Sequence, residues 1–391
     1  MSTRKLYDED SHLRECEAVV RSAEQTDQGW QVVLDRTVFF PEGGGQSCDK
    51  GWIDEAPVLD VQEKNGEICH LTETPFRAGQ TVKCRIDWPF RFSMMQNHSG
   101  EHVVSGLVHA RYGYDNVGFH LGSDLVTLDF NGPMTKAEVR EIETLANQAV
   151  WEDLRITARY PAPEELAGME YRSKLDLTEN VRIVEIEGLD RCACCAPHVR
   201  TTGEIGQIRL LEVQNYKGGV RIYMLAGARA LEYCQMVQDQ AAAIAMHFST
   251  KVENVQNSVQ RLAAQYAGLL EDRNRLSTEL IRRKAAELPA SEGLRVLFVR
   301  DWQGEELRIF ANYAAAGYRG ITMLVGPQNR YILASVTDDV RPLNQELRTA
   351  LSAKGGGSAN MAQGAIPADE AAIRAWAEGK CPAGIHEIRG F

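Results

Sequence analysis

Two short motifs, each with potential metal ligands four residues apart, carry most of the chemistry in this sequence. The first is His98-Ser-Gly-Glu-His102 and the second is Cys194-Cys-Ala-Pro-His198. In a helix, residues at i and i+4 lie on one face, so both imidazoles of the first motif can reach one ion. Zn²⁺ is borderline soft and accepts both imidazole and thiolate. The two motifs therefore predict a zinc site with His98, His102, Cys194 and His198 as ligands.

The spacing leaves open which cysteine binds and how many ligands there are. Cys194 has the four-residue offset from His198, but Cys192 and Cys195 are close enough to replace it or to line the pocket. A zinc ion with an open position lowers the pKa of its bound water toward about 7, whereas four protein ligands close the site. A closed site would leave zinc to orient the substrate.

Glu101 follows His98 by three residues, so its carboxylate can reach the same helix face. It is a candidate general base, but we favour the simpler interpretation of a solvated helix carboxylate. The spacing His98-x-x-Glu101-His102 also matches the inverzincin metallopeptidases, in which the glutamate is the general base. The cysteine–histidine pair argues against that class, because such peptidases use a carboxylate as their third ligand.

The elements that must position these residues predict an α+β fold. Asp87-Trp-Pro-Phe predicts the start of the histidine-bearing helix, with Asp87 as N-cap, and Thr135-x-x-Glu138 predicts a later capping box. Short strand-like runs before it include Val38-Phe-Phe. We expect four parts: a small β-barrel-like domain with a Gly-Gly-Gln loop, an α+β zinc-binding domain, a long helical or coiled-coil segment and a small C-terminal α/β domain, at residues 1–88, 89–226, 227–290 and 291–391.

The helical segment carries a heptad pattern. After a break at Phe248-Ser-Thr, Thr250 is a candidate cap for a second helix. Apolar residues then recur at intervals of three and four, with Arg273 filling the one gap, at Val252, Val255, Val259, Leu262, Tyr266, Leu269, Leu276 and Leu280. Such a seam predicts a coiled coil or an antiparallel hairpin, and suggests a homodimer. The alternative is a stripe that packs on its own domain.

The composition excludes several classes of protein. Of the 391 residues, 44% are hydrophobic and 25% are charged, which is typical of globular proteins. No apolar run approaches the roughly 18–20 residues that span a bilayer, and the first residues lack the apolar core of a secretory signal. The net charge of −11 argues against non-specific duplex binding. We therefore expect a cytoplasmic protein with reduced cysteines and no membrane contact.

Taken together, the motifs resemble the editing domain of alanyl-tRNA synthetases and the free-standing alanyl-tRNA editing proteins of the AlaX type. Thr202-Gly-Glu-Ile-Gly206 follows the cysteine–histidine pair, Phe39-Phe-Pro-Glu-Gly-Gly-Gly-Gln46 matches the family's Gly-Gly-Gln loop, and Gly219-Val-Arg-Ile222 matches a later element. The glycine-rich stretch that begins at Lys354 is similar to the DHH-associated domain that ends those synthetases. Two departures are the Cys-Cys-Ala-Pro-His motif in place of Cys-Gly-Gly-Thr-His, and Ser99 in place of threonine.

The resemblance implies a zinc-dependent aminoacyl-tRNA hydrolase that proofreads in trans and has no aminoacylation core. Its substrate would be mischarged tRNA(Ala), chiefly Ser-tRNA(Ala), with Gly-tRNA(Ala) as a second candidate. Gln46 is a candidate catalytic residue, and Ser99, Gly44, Gly45 and Thr202 are candidate substrate contacts. Expected tRNA phosphate contacts, for which solvated surface charge is the alternative, are Lys354, Arg282, Arg283 and Lys284. A non-catalytic tRNA-binding module with a structural zinc remains a further alternative.

Overall fold

The computed structural model describes residues 2–122, 124–173 and 181–389. The chain divides into two compact units, Met1–Ala243 and Ile244–Phe391. Helices and strands occur in both units, so the mixed α+β class expected from the sequence is confirmed. In the ranges described, no helix is long and apolar enough to cross a membrane. The division of the chain into four parts stays a prediction.

The N-terminal part of the first unit consists of short strands and one helical turn. The elements are β1 (Arg4–Lys5), α1 (Leu6–Glu9), β2 (Glu15–Thr26), β3 (Gly29–Leu34), β4 (Arg36–Thr37), β5 (Gly51–Ile53), β6 (Ala56–Lys64), β7 (Glu67–Thr72) and β8 (Thr81–Ile86). Six of these strands close into a barrel in the order β2-β3-β7-β6-β5-β8. Buried and exposed residues alternate along β8, so that Val82, Cys84 and Ile86 point into the apolar interior.

Val38-Phe-Phe is buried, but the prediction that it forms a strand is wrong. Side-chain hydrogen bonds fix this segment, where a strand would be fixed by backbone hydrogen bonds. Asp49 accepts a hydrogen bond from Phe40 N, while the buried Arg91 donates to Asp49 Oδ1 at 2.8 Å and to Val38 O at 2.7 Å. Because Arg91 belongs to the helix after β8, this buried ion pair ties that helix to the segment that leads into the glycine-rich loop.

The histidine-bearing helix, α2 (Trp88–Tyr112), begins where the sequence predicted, and the Asp87 carboxylate accepts from Phe90 N at 3.1 Å. The predicted capping box at Thr135 is also confirmed. The elements that follow α2 are β9 (Asn116–Leu121), β10 (Val126–Phe130), α3 (Lys136–Trp151), β11 (Ile156–Arg159), α4 (Pro163–Ala167), β12 (Ile183–Ile186), β13 (Asp190–Ala193), β14 (Ile208–Tyr216) and β15 (Gly219–Ala226). They form two sheets, β14-β15-β10-β9 and β11-β12-β13. Residues of α2, α3 and both sheets share one apolar core.

Two long helices follow, α5 (Gly227–His247) and α6 (Val255–Ala286), with the predicted break between them. The prediction that Thr250 caps the second helix is wrong. A short 3₁₀ turn, Val252–Asn254, comes first, and α6 begins after it without a side-chain cap.

The rest of the second unit contains strands and helices, and two pairs of strands follow one another without an α-helix between them. The elements are β16 (Glu292–Val299), α7 (Gly304–Ala315), β17 (Arg319–Val325), β18 (Arg330–Ala334), α8 (Arg341–Leu351), β19 (Lys354–Gly357), β20 (Met361–Ala365), α9 (Glu370–Glu378) and β21 (Ile385–Ile388). The strands form one mixed sheet in the order β19-β20-β18-β17-β16-β21. Alternate residues of β16 enter two apolar cores, so helices pack on both faces of the sheet.

The apolar seam predicted on α6 is exposed over most of its length. Five of its side chains have exposed fractions between 47% and 68%, namely Val259, Leu262, Tyr266, Leu269 and Leu276.

 The most exposed of these five side chains is Leu269, at 68%. The alternative of a stripe that packs on its own domain is therefore wrong for this part of the helix.

Candidate metal centre

Helix α2 and the loop after β13 bring four potential ligands together. The ligand atoms of His98, His102, Cys194 and His198 all lie within 4.8 Å of one another. Cys194 Sγ is 3.5 Å from His98 Nε2 and 3.4 Å from His198 Nε2. The three histidines are buried, at 2–4% exposure. Residues nearly a hundred positions apart in sequence thus converge on one point.

This donor set fits a metal ion. A tetrahedral zinc with Zn–S of about 2.3 Å and Zn–N of about 2.0–2.1 Å holds its sulfur and nitrogen ligands roughly 3.5 Å apart. The two sulfur–nitrogen distances match that separation. Three imidazoles and one thiolate also favour zinc over magnesium or calcium, because those two ions prefer oxygen ligands. The cluster can therefore hold a metal ion.

Each imidazole is held through its Nδ1 atom by a different partner. His98 Nδ1 donates to Gln46 Oε1 at 2.9 Å, and His102 Nδ1 donates to Asp190 Oδ2 at 3.2 Å. Ser99 Oγ lies 3.0 Å from His198 Nδ1. A partner on Nδ1 fixes the orientation of the ring and turns Nε2 toward the cluster. These Nδ1 partners thus fix the orientation of all three imidazole rings.

Asp190 is itself fixed by Arg172. The guanidinium donates from Nε to Oδ1 at 2.7 Å and from Nη2 to Oδ2 at 2.8 Å. Burial acts to raise the pKa of Asp190, but the hydrogen bonds from His102 and Arg172 outweigh it and lower the pKa to about 2. Asp190 is therefore an ionised carboxylate behind the metal-facing ring of His102.

Gly106 permits this arrangement. It lies one helical turn after His102, where a Cβ atom would come within 2.8 Å of Asp190 Cβ and 3.1 Å of Leu189 O. The first contact is shorter than real Cβ atoms show and the second is tight, so a side chain here would force β13 away from α2. The close approach brings the Asp190 carboxylate to His102.

The glycine-rich loop places Gln46 in a similar way. Gly45 has a positive φ of 80°, and a Cβ there would meet Phe119 at 2.8 Å. Its carbonyl accepts from Leu121 N at 2.9 Å, which docks the loop on β9. Gln46 is consequently buried at 1% exposure with its amide oxygen on His98.

The neighbouring histidines favour a thiolate at Cys194, and burial favours a neutral imidazole at His198. Burial acts to raise the pKa of Cys194, but the nearby histidines outweigh it and hold that pKa well below its ordinary value. Burial lowers the pKa of His198 to about 3. Metals bind cysteine as thiolate and histidine as neutral imidazole, so these are the protonation states that a metal requires.

The cluster opens onto a cavity of about 440 Å³, which is within the range of small-ligand sites. The wall includes Gly44, Gly45 and Glu101 as well as Phe119, Tyr160, Arg172, Arg182, Cys192 and Cys195. Arg182 also shapes the metal-binding loop, because it donates to Cys194 O at 3.1 Å and to Ala196 O at 2.8 Å. A small acyl group can therefore lie beside the cluster.

Two family models match the chain. The model described as tRNA synthetases class II (A) matches residues 7–90, and the model described as the threonyl and alanyl tRNA synthetase second additional domain matches residues 181–223, which include Cys194 and His198. The alanyl-tRNA editing protein AlaX-L of Pyrococcus horikoshii is 30% identical over 390 residues, covering 93% of this chain and 95% of AlaX-L. The chain belongs to the alanyl-tRNA editing protein family.

Further relatives agree with this assignment. The alanyl-tRNA editing protein Aarsd1 of Rattus norvegicus is 29% identical over 353 residues, covering 86% of this chain and 84% of that protein. The alanine–tRNA ligase of Ignicoccus hospitalis is 30% identical over 396 residues, but these make up only 42% of the ligase. The chain thus resembles the free-standing editing proteins over nearly their whole length and the ligase over part of it. Its C-terminal DHH-associated domain stays a prediction.

Several predicted substrate contacts of this alanyl-tRNA editing protein lie behind the cavity wall. Gln46 contacts His98, and Ser99 is fully buried, with its hydroxyl on His198 and accepting from Val199 N. Thr202 donates to Ala149 O at 2.6 Å and accepts from Leu154 N at 2.8 Å. Gly44 and Gly45, in contrast, line the cavity.

Glu101 lines the cavity of the editing protein and is 3% exposed, so the favoured prediction of a solvated carboxylate is wrong. Its Oε1 accepts from Ser105 Oγ at 2.7 Å and from Asn116 Nδ2 at 2.6 Å. Helical spacing predicted the face on which Glu101 lies but not its burial, because β9 supplies Asn116 from a later part of the chain.

Predicted tRNA contacts lie in the second unit. Lys354 is exposed on β19, and Arg282 and Arg283 both pair with Glu279 on α6. Lys284 pairs with Glu287 at 3.1 Å. Sequence reasoning missed Asp190 and Arg172, which support the metal centre. Asp190 stands four residues before Cys194, but its role becomes visible only when β13 lies against α2.

Proposed function

We propose that this alanyl-tRNA editing protein hydrolyses the ester bond of mischarged tRNA(Ala) in trans, with Ser-tRNA(Ala) as its main substrate. Gly-tRNA(Ala) is the second candidate. The observation that carries the proposal is the His₃Cys cluster at a cavity large enough for a small aminoacyl group. Similarity to AlaX-L and Aarsd1 over most of each chain supports it.

Zinc is the proposed metal, held by His98, His102, Cys194 and His198. The sulfur–nitrogen distances and the mixed imidazole–thiolate set support this choice. When bound, zinc supplies a positive charge that can polarise an ester carbonyl or orient the amino acid or the terminal ribose. Gln46, Asp190 and Ser99 keep the three rings turned toward that position.

Glu101 is the proposed general base. It is the sole carboxylate among the described residues that line the cavity, and it lies beside His102, with 3.8 Å between Glu101 Oε2 and His102 Nε2. Hydrogen bonds from Ser105 and Asn116 fix its carboxylate. A fixed carboxylate at the cavity wall can take a proton from an attacking water.

Gln46 is proposed to act through His98. Its contact with Nδ1 supports a positioning role more directly than the contact with substrate that the resemblance implies. Gln46→Ala separates the two roles. A positioning residue predicts weaker zinc binding together with slower deacylation, whereas a direct substrate contact predicts slower deacylation with zinc content intact.

Partners and location complete the proposal. We expect phosphate contacts from Lys354, Arg282, Arg283 and Lys284, and a homodimer formed through the exposed seam of α6. The expected compartment is the cytoplasm.

One assay tests the function. The purified protein is incubated with Ser-tRNA(Ala), Ala-tRNA(Ala) and an unfolded peptide, each with and without a zinc chelator. We expect rapid release of serine, slow release of alanine, an intact peptide and loss of activity with chelator. Cleavage of the peptide would favour a peptidase, and tRNA binding without hydrolysis would favour a binding module with a structural metal.

A further inference from the structure

A buried arginine without an acidic partner lies in the second unit. Arg295, on β16, is 4% exposed. Its Nε donates to Thr322 Oγ1 at 2.9 Å, its Nη2 donates to Ala314 O, and its guanidinium carbon lies 3.7 Å from the centre of the Tyr318 ring. These contacts fix the side chain but supply no full negative charge.

The positive charge of Arg295 is not neutralised by a carboxylate. Among residues 2–122, 124–173 and 181–389, no acidic side chain forms an ion pair with it, and its hydrogen bonds go to the neutral groups of Thr322 and Ala314. Ala314 O, near the end of α7, contributes only a partial charge. Burial consequently lowers the pKa of Arg295. A buried charge in this state is costly unless an ion of opposite sign accompanies it.

Arg295 borders a cavity of about 690 Å³ that is rich in positive charge. Arg282 and Arg319 also line it. Arg282 pairs with Glu279 at the surface of α6, and Glu292 is the sole lining carboxylate in the described part of the chain. Glu292 Oε1 lies 3.8 Å from Arg319 Nη1, and both side chains are more than 70% exposed. This ion pair therefore neutralises little of the positive charge of the cavity. Tyr313 and Tyr318 add aromatic surface to the wall.

We propose that this cavity binds a phosphate group, with Arg295 as its buried anchor and Arg282 and Arg319 at its mouth. Arginine suits the role because its planar fork donates two parallel hydrogen bonds to a phosphate. The phosphate is that of an RNA strand or of a free phosphate compound. The aromatic wall favours RNA, whose unpaired bases stack on tyrosine rings.

The RNA form of this proposal rests on the proposed function, but phosphate binding itself does not. The first test is therefore equilibrium dialysis of the full chain with radiolabelled inorganic phosphate at constant ionic strength. Wild type should bind phosphate saturably. The double variant Arg282→Ala/Arg319→Ala, which changes surface residues, should bind at least ten-fold more weakly. Arg348→Ala, an exposed arginine on α8 away from the cavity, is the matched control and should bind as wild type does.

Arg295→Lys tests the anchor. Lysine keeps the charge but loses the fork, so phosphate binding should weaken at least ten-fold while the circular dichroism spectrum stays unchanged. If this variant fails to fold, the surface double variant Arg282→Ala/Arg319→Ala still tests whether the cavity binds phosphate. Equal phosphate binding by wild type and the double variant, or no saturable binding by wild type, overturns the proposal.

Competition with uncharged tRNA then identifies the source of the phosphate. Displacement of labelled phosphate by tRNA from wild type supports an RNA strand as the ligand. Retention of phosphate at saturating tRNA overturns the RNA form and assigns the cavity to a free phosphate compound. Neither readout depends on deacylation, so a failure of the proposed function remains distinguishable from a failure of this site.

Discussion

Helices α2 and α6 carry similar spacing signals but differ in what covers them. On α2, His98 and His102 are four residues apart and both are 2% exposed. On α6, apolar residues recur at intervals of three and four, yet Leu262 and Leu269 are 52% and 68% exposed. Helical spacing therefore specifies which side chains share a face, but not whether that face is buried.

Distant parts of the chain account for the difference. The face of α2 is covered because glycines let other elements approach, as Gly106 does for β13. A Cβ on Gly100 would likewise lie 3.2 Å from Ala226 Cβ, at the end of β15. The described residues provide no comparable cover for the exposed seam of α6, which is why we expect it to be completed by a second copy.

Loss of the thiolate should produce the largest effect. Cys194→Ala removes the sulfur that lies within 3.5 Å of two histidine nitrogens, so bound zinc should be lost. Deacylation of Ser-tRNA(Ala) should fall about 10³-fold, which corresponds to roughly 4 kcal/mol. Zinc content by atomic absorption and single-turnover hydrolysis measure the two effects.

The neighbouring thiol supplies a matched control. Cys195 lines the same cavity but lies outside the four-ligand cluster. Cys195→Ala should keep its zinc and lose little activity. If zinc were lost from the Cys195 variant and kept by the Cys194 variant, the assignment of the ligand would be reversed.

The ligand set was accessible from the sequence, because both pairs have local spacing that a helix or a tight loop brings together. The support of the site was less accessible. Asp190 contacts His102 across 88 residues, and Gln46 contacts His98 across 52. Such contacts depend on how β13 and the glycine-rich loop dock. The same limit explains Glu101, since its burial requires Asn116 from β9.

His70 is a buried histidine outside the metal centre, so its pKa shows the effect of burial away from the metal ligands. His70 lies in the barrel, where Nδ1 donates to Val32 O and Nε2 accepts from Thr37. Burial lowers its pKa to about 4. Between pH 6.5 and 4 the unfolded chain therefore binds a proton that the folded chain does not, so stability falls as pH falls.

The expected loss in the free energy of unfolding from this group is about 3 kcal/mol between pH 7.5 and pH 4. Urea unfolding of wild type and His70→Gln over this range measures it, because the difference between their pH profiles isolates His70. Parallel profiles would contradict the assignment of a neutral, buried ring.

Removal of the charge behind His102 should have an intermediate effect. Asp190→Asn keeps the size of the side chain but loses the carboxylate that accepts from His102 Nδ1. Changes to such supporting groups weaken metal binding by about 10–100-fold, or roughly 1.4–2.7 kcal/mol. Competition with a fluorescent zinc chelator measures the affinity.

Asp115→Asn is the control for this change, since Asp115 is an exposed carboxylate that pairs with an exposed histidine, His109. Its zinc affinity should equal that of wild type. An unchanged affinity in Asp190→Asn would show that Gln46 and Ser99 suffice to orient the cluster.

Changes on α6 should have the smallest effect on folding and the clearest effect on assembly. Leu262→Glu/Leu269→Glu places two charges on the exposed seam, where substitutions alter the free energy of unfolding by about 0.5 kcal/mol or less. A dimer formed through that seam should nevertheless dissociate, because buried like charges would face each other. Gln260→Glu/Ala267→Glu adds the same charge on exposed positions away from the seam and should leave the dimer intact. Sedimentation velocity distinguishes the outcomes: a monomeric wild type, or equal dissociation of both variants, would mean that helical spacing on α6 marks no interface.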